Sequence, residues 1–196
     1  MKSVKAEKFN INFDDTLVLS EIDSILNQID IELSKTKASK EKTKFGQMLY
    51  SPVYLNEEIS KHAMKLGWSR GEKYSMITSG DRQEIEKFLS LPIKDKKDLS
   101  LHSNEEPDFA KEFLLNSKTE TVFLEIQFGK YAFMTRDNIY KSAYFHKYGY
   151  CGLCICIAPM KRVASQMSTG IGCYEKSLPE VVSSDIKHPL ILLGIE

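Results

Sequence analysis

The sequence predicts an α/β fold, a central mixed β-sheet flanked by helices. Strands and helices alternate through the second half of the chain, and two short runs there, 153–158 and 190–195, are almost continuously apolar. Strands of that kind are buried on both faces, which happens when helices cover a sheet from either side. At 196 residues the chain is long enough to bury a real core, and it reads as a single domain spanning 1–196.

In chain order, Ile22, Ile25, Leu26, Ile29 and Leu33 recur at helical spacing and predict a helix over 17–34. Ser20 can cap its start, with Asp23 three residues on as a weak capping box. The Lys/Thr/Ser-rich stretch 35–44 reads as a loop. Asn56, Glu57 and Glu58 open a second helix whose inner face is Ile59, His62, Ala63 and Leu66, and Gly67 closes it. Residues 69–106 are polar and charged, with only a short helical pattern around 85–89, and read as a variable insertion.

The second half is better patterned. Over 121–128, Val122, Leu124, Ile126 and Phe128 point one way, while Thr121, Phe123, Glu125 and Gln127 point the other. Residues 137–148 read as a helix ended by Gly149, and 153–158 as a buried strand. A helix over 173–182 is expected to bend or stop at Pro179, and 190–195 is the last buried strand.

Composition excludes little. The chain is 42% hydrophobic and 28% charged, ordinary for a globular protein, and its 27 basic residues equal its 27 acidic ones. A nucleic-acid-binding face would have to be local. The first 20 residues hold no signal-peptide pattern, and no apolar run approaches the ~18 residues of a membrane span. The expectation is a cytoplasmic protein with no membrane partner and four reduced cysteines, Cys151, Cys154, Cys156 and Cys173.

The sharpest chemical feature is Pro107-Asp108 followed, 17 residues after the Asp, by Glu125-Ile126-Gln127. On a strand Glu125 and Gln127 share a face roughly 6.5–7 Å apart. Magnesium takes one or two protein carboxylates plus waters and substrate phosphate, and phosphodiester hydrolysis needs such a hard cation. Asp108 and Glu125 have the right chemistry. The spacing alone is a weak signal, because Pro-Asp is common and E-x-Q on an amphipathic strand usually faces solvent.

A longer pattern adds to it. Glu125-Ile-Gln-Phe-Gly-Lys-Tyr-Ala-Phe-Met134, then 139–147 ending in Tyr-Phe-His-Lys, resembles the catalytic strand and following helix of BglII-type restriction enzymes. Ala164-Ser-Gln-Met-Ser-Thr169 and Cys173-Tyr-Glu175 resemble the same enzymes further on. So do Lys37-Ala-Ser39 and Phe45-Gly-Gln-Met-Leu-Tyr-Ser-Pro-Val53 upstream. The chain is thus similar to the BglII/BamHI-like group of PD-(D/E)xK nucleases over roughly 37–68 and 108–195.

The resemblance implies a restriction endonuclease-like core and a type II restriction endonuclease. Such an enzyme uses Mg2+ to cut both strands of double-stranded DNA at a short palindrome, leaving 5′-phosphates, and works as a homodimer. Asp108, Glu125 and Gln127 would be catalytic. Asp108 and Glu125 would hold the metal, with Glu112 in reserve. The nearest relatives place the Asp only about nine residues before the Glu, which lands on Asn116 here, whereas Asp108 fits the longer spacing of other members. Gln127 stands where the superfamily usually has Lys, as in the BglII-like subgroup. Lys130, Arg162, Ser165, Gln166, Ser168 and Thr169 are the implied DNA contacts, Gln suiting adenine and Arg suiting guanine or phosphate. The helix 137–148 would help form the dimer.

Two other readings compete: a structure-specific repair or recombination nuclease of the same fold, and a non-catalytic DNA-binding protein, which Gln127 in place of Lys favours. Cys151-Gly-Leu-Cys154 with Cys156 invites a zinc or thiol reading, but two of these lie in an apolar run where Cys is a small buried hydrophobe. His146 at a helix end is a weak candidate base.

Overall fold

The structure, a computed structural model, describes residues 1–38, 44–71, 76–77, 87, 104–129 and 136–196. Along the chain run β1 (Ser3–Phe9), α1 (Thr16–Asn27), a 3-10 turn (Ile31–Ser34), β2 (Lys35–Lys37), β3 (Met48–Tyr50), α2 (Pro52–Lys65) and β4 (Ser69–Arg70). Then follow β5 (Met76–Ile77), β6 (Asn104–Glu105), β7 (Phe109–Leu115), β8 (Lys118–Ile126) and a π-helical turn (Arg136–Lys141) that continues into α3 (Ser142–Lys147). The chain ends with β9 (Leu153–Pro159), the short α4 (Lys161–Ala164), α5 (Tyr174–Ser183) and β10 (Leu190–Ile195).

Among the described residues, six strands form the central sheet in the order β1-β10-β9-β8-β7-β4. β8, β9 and β10 are parallel to one another, whereas β1, β7 and β4 run antiparallel to their neighbours. This is the mixed, helix-flanked sheet that the pattern predicts. Every residue of β9 and β10 is buried.

The sheet separates two cores. On one face Val122, Leu124, Ile126 and Phe128 pack with Ile155, Ile157 and Leu193 against α1 and α2. A polar knot fastens these helices to the sheet: Lys111 donates to both carboxylate oxygens of Glu21 and to the Leu66 carbonyl, and Trp68 donates from its ring to Glu21. On the other face Phe123, Cys154, Cys156 and Leu192 pack with Phe145, Tyr174 and Val181. The alternation of β8 therefore divides between two apolar cores, and Glu125 faces the second.

Several boundaries differ from the sequence pattern. α1 begins before Ser20, whose hydroxyl merely bonds the Leu17 carbonyl, and ends at Asn27. The chain restarts as a 3-10 turn because Asp30 accepts from the Glu32 amide, which leaves Leu33 on the surface at 69% exposure. The predicted loop 35–44 contains β2, paired with β3. α2 starts at Pro52, capped by the Ser51 hydroxyl accepting from the Tyr54 amide, and Gly67 follows it at φ +86°. The region 69–106 is not wholly an insertion, since β4 forms an edge of the central sheet against β7. The helical pattern at 85–89 lies outside the described residues. Pro179 does not end α5, which continues to Ser183. Among the described residues, no helix is long and apolar enough to cross a membrane.

Candidate active site

β7 and β8 form a hairpin whose turn, Asn116 and Ser117, takes positive φ at both residues. Its register pairs Phe109 with Leu124, so Asp108, the residue just before β7, stands beside Glu125. There Asp108 takes over from the missing ladder. Its Oδ2 accepts a 2.7 Å hydrogen bond from the Ile126 amide, which points to where β7 has already ended. On the other side of β8 the Gln127 amide donates to the Ile157 carbonyl at 2.8 Å, extending the parallel ladder with β9. Glu125 and Gln127 therefore project from a strand end held on both sides.

Glu125 is buried, at 2% exposure. Lys141 Nζ, from the π-helical turn, lies 2.9 Å from both of its oxygens. It hydrogen-bonds Oε2, while Oε1 is buried and has no hydrogen-bond partner. Burial drives the Glu125 carboxyl well above the usual carboxylate range; the Lys141 ammonium opposes this, and the neighbouring charge of Asp108 adds to it. Gln127 is buried too, and Asp108 is half-buried. A cleft of about 220 Å³ opens beside Asp108, lined by Arg70, Gly71, Glu106 and Pro107.

Gly71 makes this corner tight. A Cβ there would come within 1.9 Å of the Pro107 carbonyl oxygen, so only glycine lets the chain after β4 pass so close to Pro107-Asp108.

The hairpin brings Asp108 to Glu125 and leaves the two alternatives away from it. Glu112 pairs with Thr121, four residues back along β8, roughly 13 Å from Glu125, and its side chain is exposed. Asn116 is in the turn itself. As a reserve ligand Glu112 is thus out of reach. Among the described residues no three His, Cys, Asp or Glu side chains cluster as a metal cage.

The other predicted contacts lie on α4 and the loop that follows it, at the same end of the sheet. Arg162, Ser165 and Thr169 are exposed, and Gln166 and Ser168 are partly so. The loop is braced from two directions. Lys44 donates to the Ser165 and Met167 carbonyls at 2.7 and 2.6 Å, and the Tyr50 amide donates to the Gln166 carbonyl. Further on, the Gly172 amide donates to the Gly129 carbonyl, two residues beyond Gln127, which sets this loop beside the exit of β8. Lys130 lies outside the described residues, as do Ser39 and 131–134 of the resemblance.

The thiol and histidine readings lose their footing. All four cysteines are free and buried, and burial pushes the Cys151 thiol well up. His146 bonds the Cys151 carbonyl beside a larger cleft of about 870 Å³ around the opposite end of β8. Lys141 is the site residue that sequence reasoning missed. Nothing in its sequence spacing announces an inward ion pair.

A sequence model described as restriction endonuclease BglII/BglIII matches residues 6–195. The chain belongs to that family. Family membership makes this nuclease a type II site-specific deoxyribonuclease. No curated protein sequence matches it. The fold agrees with two solved structures. A crystal structure of BglII complexed with a DNA 16-mer superposes with a TM-score of 0.67 at 18% identity, covering 97% of this chain and 74% of that one. A structure of free BglII gives 0.54 at 16% identity, covering 98% and 80%. At such identities the likeness speaks for the fold, and the family match carries the activity.

Proposed function

We propose that this nuclease is a single-domain, magnesium-dependent homodimer that hydrolyses both strands of double-stranded DNA at a short palindrome, leaving 5′-phosphates. The observation that carries the reading is the hairpin register that sets Asp108 beside the buried Glu125, one oxygen of which has no hydrogen-bond partner. The Lys141 ammonium, 2.9 Å from each oxygen, compensates that carboxylate in this structure, and the two adjacent carboxylates also suit a hard cation with oxygen preference. Two protein carboxylates suffice for magnesium, which takes its other ligands from water and phosphate. When bound, the ion would neutralise charge on the scissile phosphate and acidify a water.

The chain's own residues do the positioning. Asp108 is fixed by the Ile126 amide and Glu125 by the core beneath it, so neither has to be ordered when DNA arrives. Gln127, on the same face, offers an amide to orient the attacking water. Arg162 from α4 and Ser165, Gln166, Ser168 and Thr169 from the braced loop reach base edges and phosphates, and a Gln amide matches the two-point pattern of adenine. Recognition of a palindrome by two identical subunits follows from two-fold symmetry.

The test is incubation of the purified protein with phage DNA and magnesium, followed by sequencing of the ends. Discrete cuts at one short symmetric sequence, with phosphate on the 5′ side, are expected. Glu125→Gln and Asp108→Asn should each lower the rate by roughly 10³-fold while leaving DNA binding in place. Cleavage confined to branched DNA, or undiminished in Glu125→Gln, would overturn the reading.

A further inference from the structure

Glu125 faces the second, apolar core, where Phe123 packs edge-on against Phe145 and Cys156 pairs with it on β9. A carboxylate taken into such surroundings needs a cation with it. The strand does not provide one at Gln127. The counter-charge comes from Lys141, 16 residues on, with Nζ 2.9 Å from each oxygen and side chains only 9% and 2% exposed. The turn that carries it is π-helical, a rare winding. Its neighbour Tyr140 is 71% exposed, so the winding selects Lys141 for the interior.

We propose that Lys141 is a positioning residue that holds the place of the divalent cation: its ammonium occupies Glu125 until a metal ion displaces it. This rests on the reading of Asp108 and Glu125 as metal ligands. An ammonium and a hard dication are drawn to the same carboxylate by the same charge, and they repel each other at such range. With Lys141 in place the buried carboxylate is compensated and its orientation kept. A metal ion must then compete for Glu125 and load weakly in the absence of DNA, whose phosphates add ligands and negative charge to its side of the competition.

The experiment titrates Mn2+ alone into the DNA-free protein in mildly alkaline buffer and counts bound ion by electron paramagnetic resonance. Lys141→Met should bind Mn2+ about tenfold more tightly than the native protein, and Lys141→Arg should match the native protein. Equal or weaker binding by a folded Lys141→Met overturns the proposal, because a lysine that only supports the fold would leave a damaged site. Should Lys141→Met not fold, the native protein decides. Acetylation of Lys141, mapped by peptide mass spectrometry, should rise several-fold when Mn2+ is added, and unchanged or reduced labelling overturns the proposal. Absence of Mn2+ binding in both the native protein and a folded Lys141→Met removes the metal-site reading altogether, and this inference with it.

Discussion

At the scale of single residues, the site depends on groups that touch no reacting atom. Gly71 is one. Its missing side chain is the space that the Pro107 carbonyl occupies, and Pro107 sets Asp108. Gly71→Ala would force a backbone shift at that corner, and misplacing a catalytic carboxylate by about 1 Å costs roughly 10²-fold in rate. A fall of that order in single-turnover cleavage, with DNA affinity retained, is the expected outcome. Native cleavage rates in Gly71→Ala would show that Asp108 tolerates the movement. Sequence reading named the two carboxylates but had no access to this residue, because a steric gap depends on what lies across it in space.

At the scale of elements, α3 is pinned to the strand connection before β10 by a buried pair. Ser142 Oγ donates to the Asn138 carbonyl and lies 2.7 Å from His188 Nε2, whose ring stacks at 5.9 Å from that of His146. Burial first, and His146 second, hold the His188 pKa down to about 4 from an ordinary 6.5. The folded protein thus keeps His188 neutral where the unfolded chain takes up a proton. Stability is unaffected above pH 6.5 and is lost progressively as pH falls from 6.5 toward 4. Allowing for partial hydration of the ring, the loss is on the order of 1–2 kcal/mol. Urea unfolding at a series of pH values should show this slope, and His188→Gln should flatten it. An identical slope in the variant would place the titration elsewhere.

The elements also explain how the spacing between Asp108 and Glu125 arises. A hairpin keeps two residues together whenever they stand at equal distances from its turn, and here the turn at Asn116 and Ser117 falls midway. Lengthening both arms changes the sequence separation without changing the pairing. For that reason a nine-residue spacing points to Asn116 on paper, whereas the longer spacing to Asp108 is the one the register makes work.

At the scale of the whole molecule, the balanced charge means that DNA is not drawn in by a global field, so attraction rests on local cations. In the proposed dimer, Tyr140 would be the aromatic anchor. It stands 71% exposed between the fully buried Asn138 and Ser142, and tyrosine is among the residue types enriched at the hot spots of protein interfaces. Tyr140→Glu should weaken self-association by tenfold or more and turn double-strand cuts into nicks at the same site. Sedimentation equilibrium and supercoiled-plasmid assays measure the two effects. A Tyr140→Glu protein that dimerises like the native one would move the interface to another face.

The sequence by itself determined the sheet interior, the face on which Glu125 and Gln127 sit, and the family. Continuous apolar runs of only six residues are too short for a buried helix and suit a buried strand, and a period of two admits only one partition of side chains. It missed β1, whose residues are mostly exposed, because an edge strand held by backbone pairing leaves little apolar signature. Only the tertiary structure decided that Glu125 is buried with Lys141, that Glu112 stands away, and that Lys44 braces the loop at 165–167. Each of these is a meeting of distant segments. Local patterning reports which way a side chain points, whereas the partner it finds there is settled by how the layers pack.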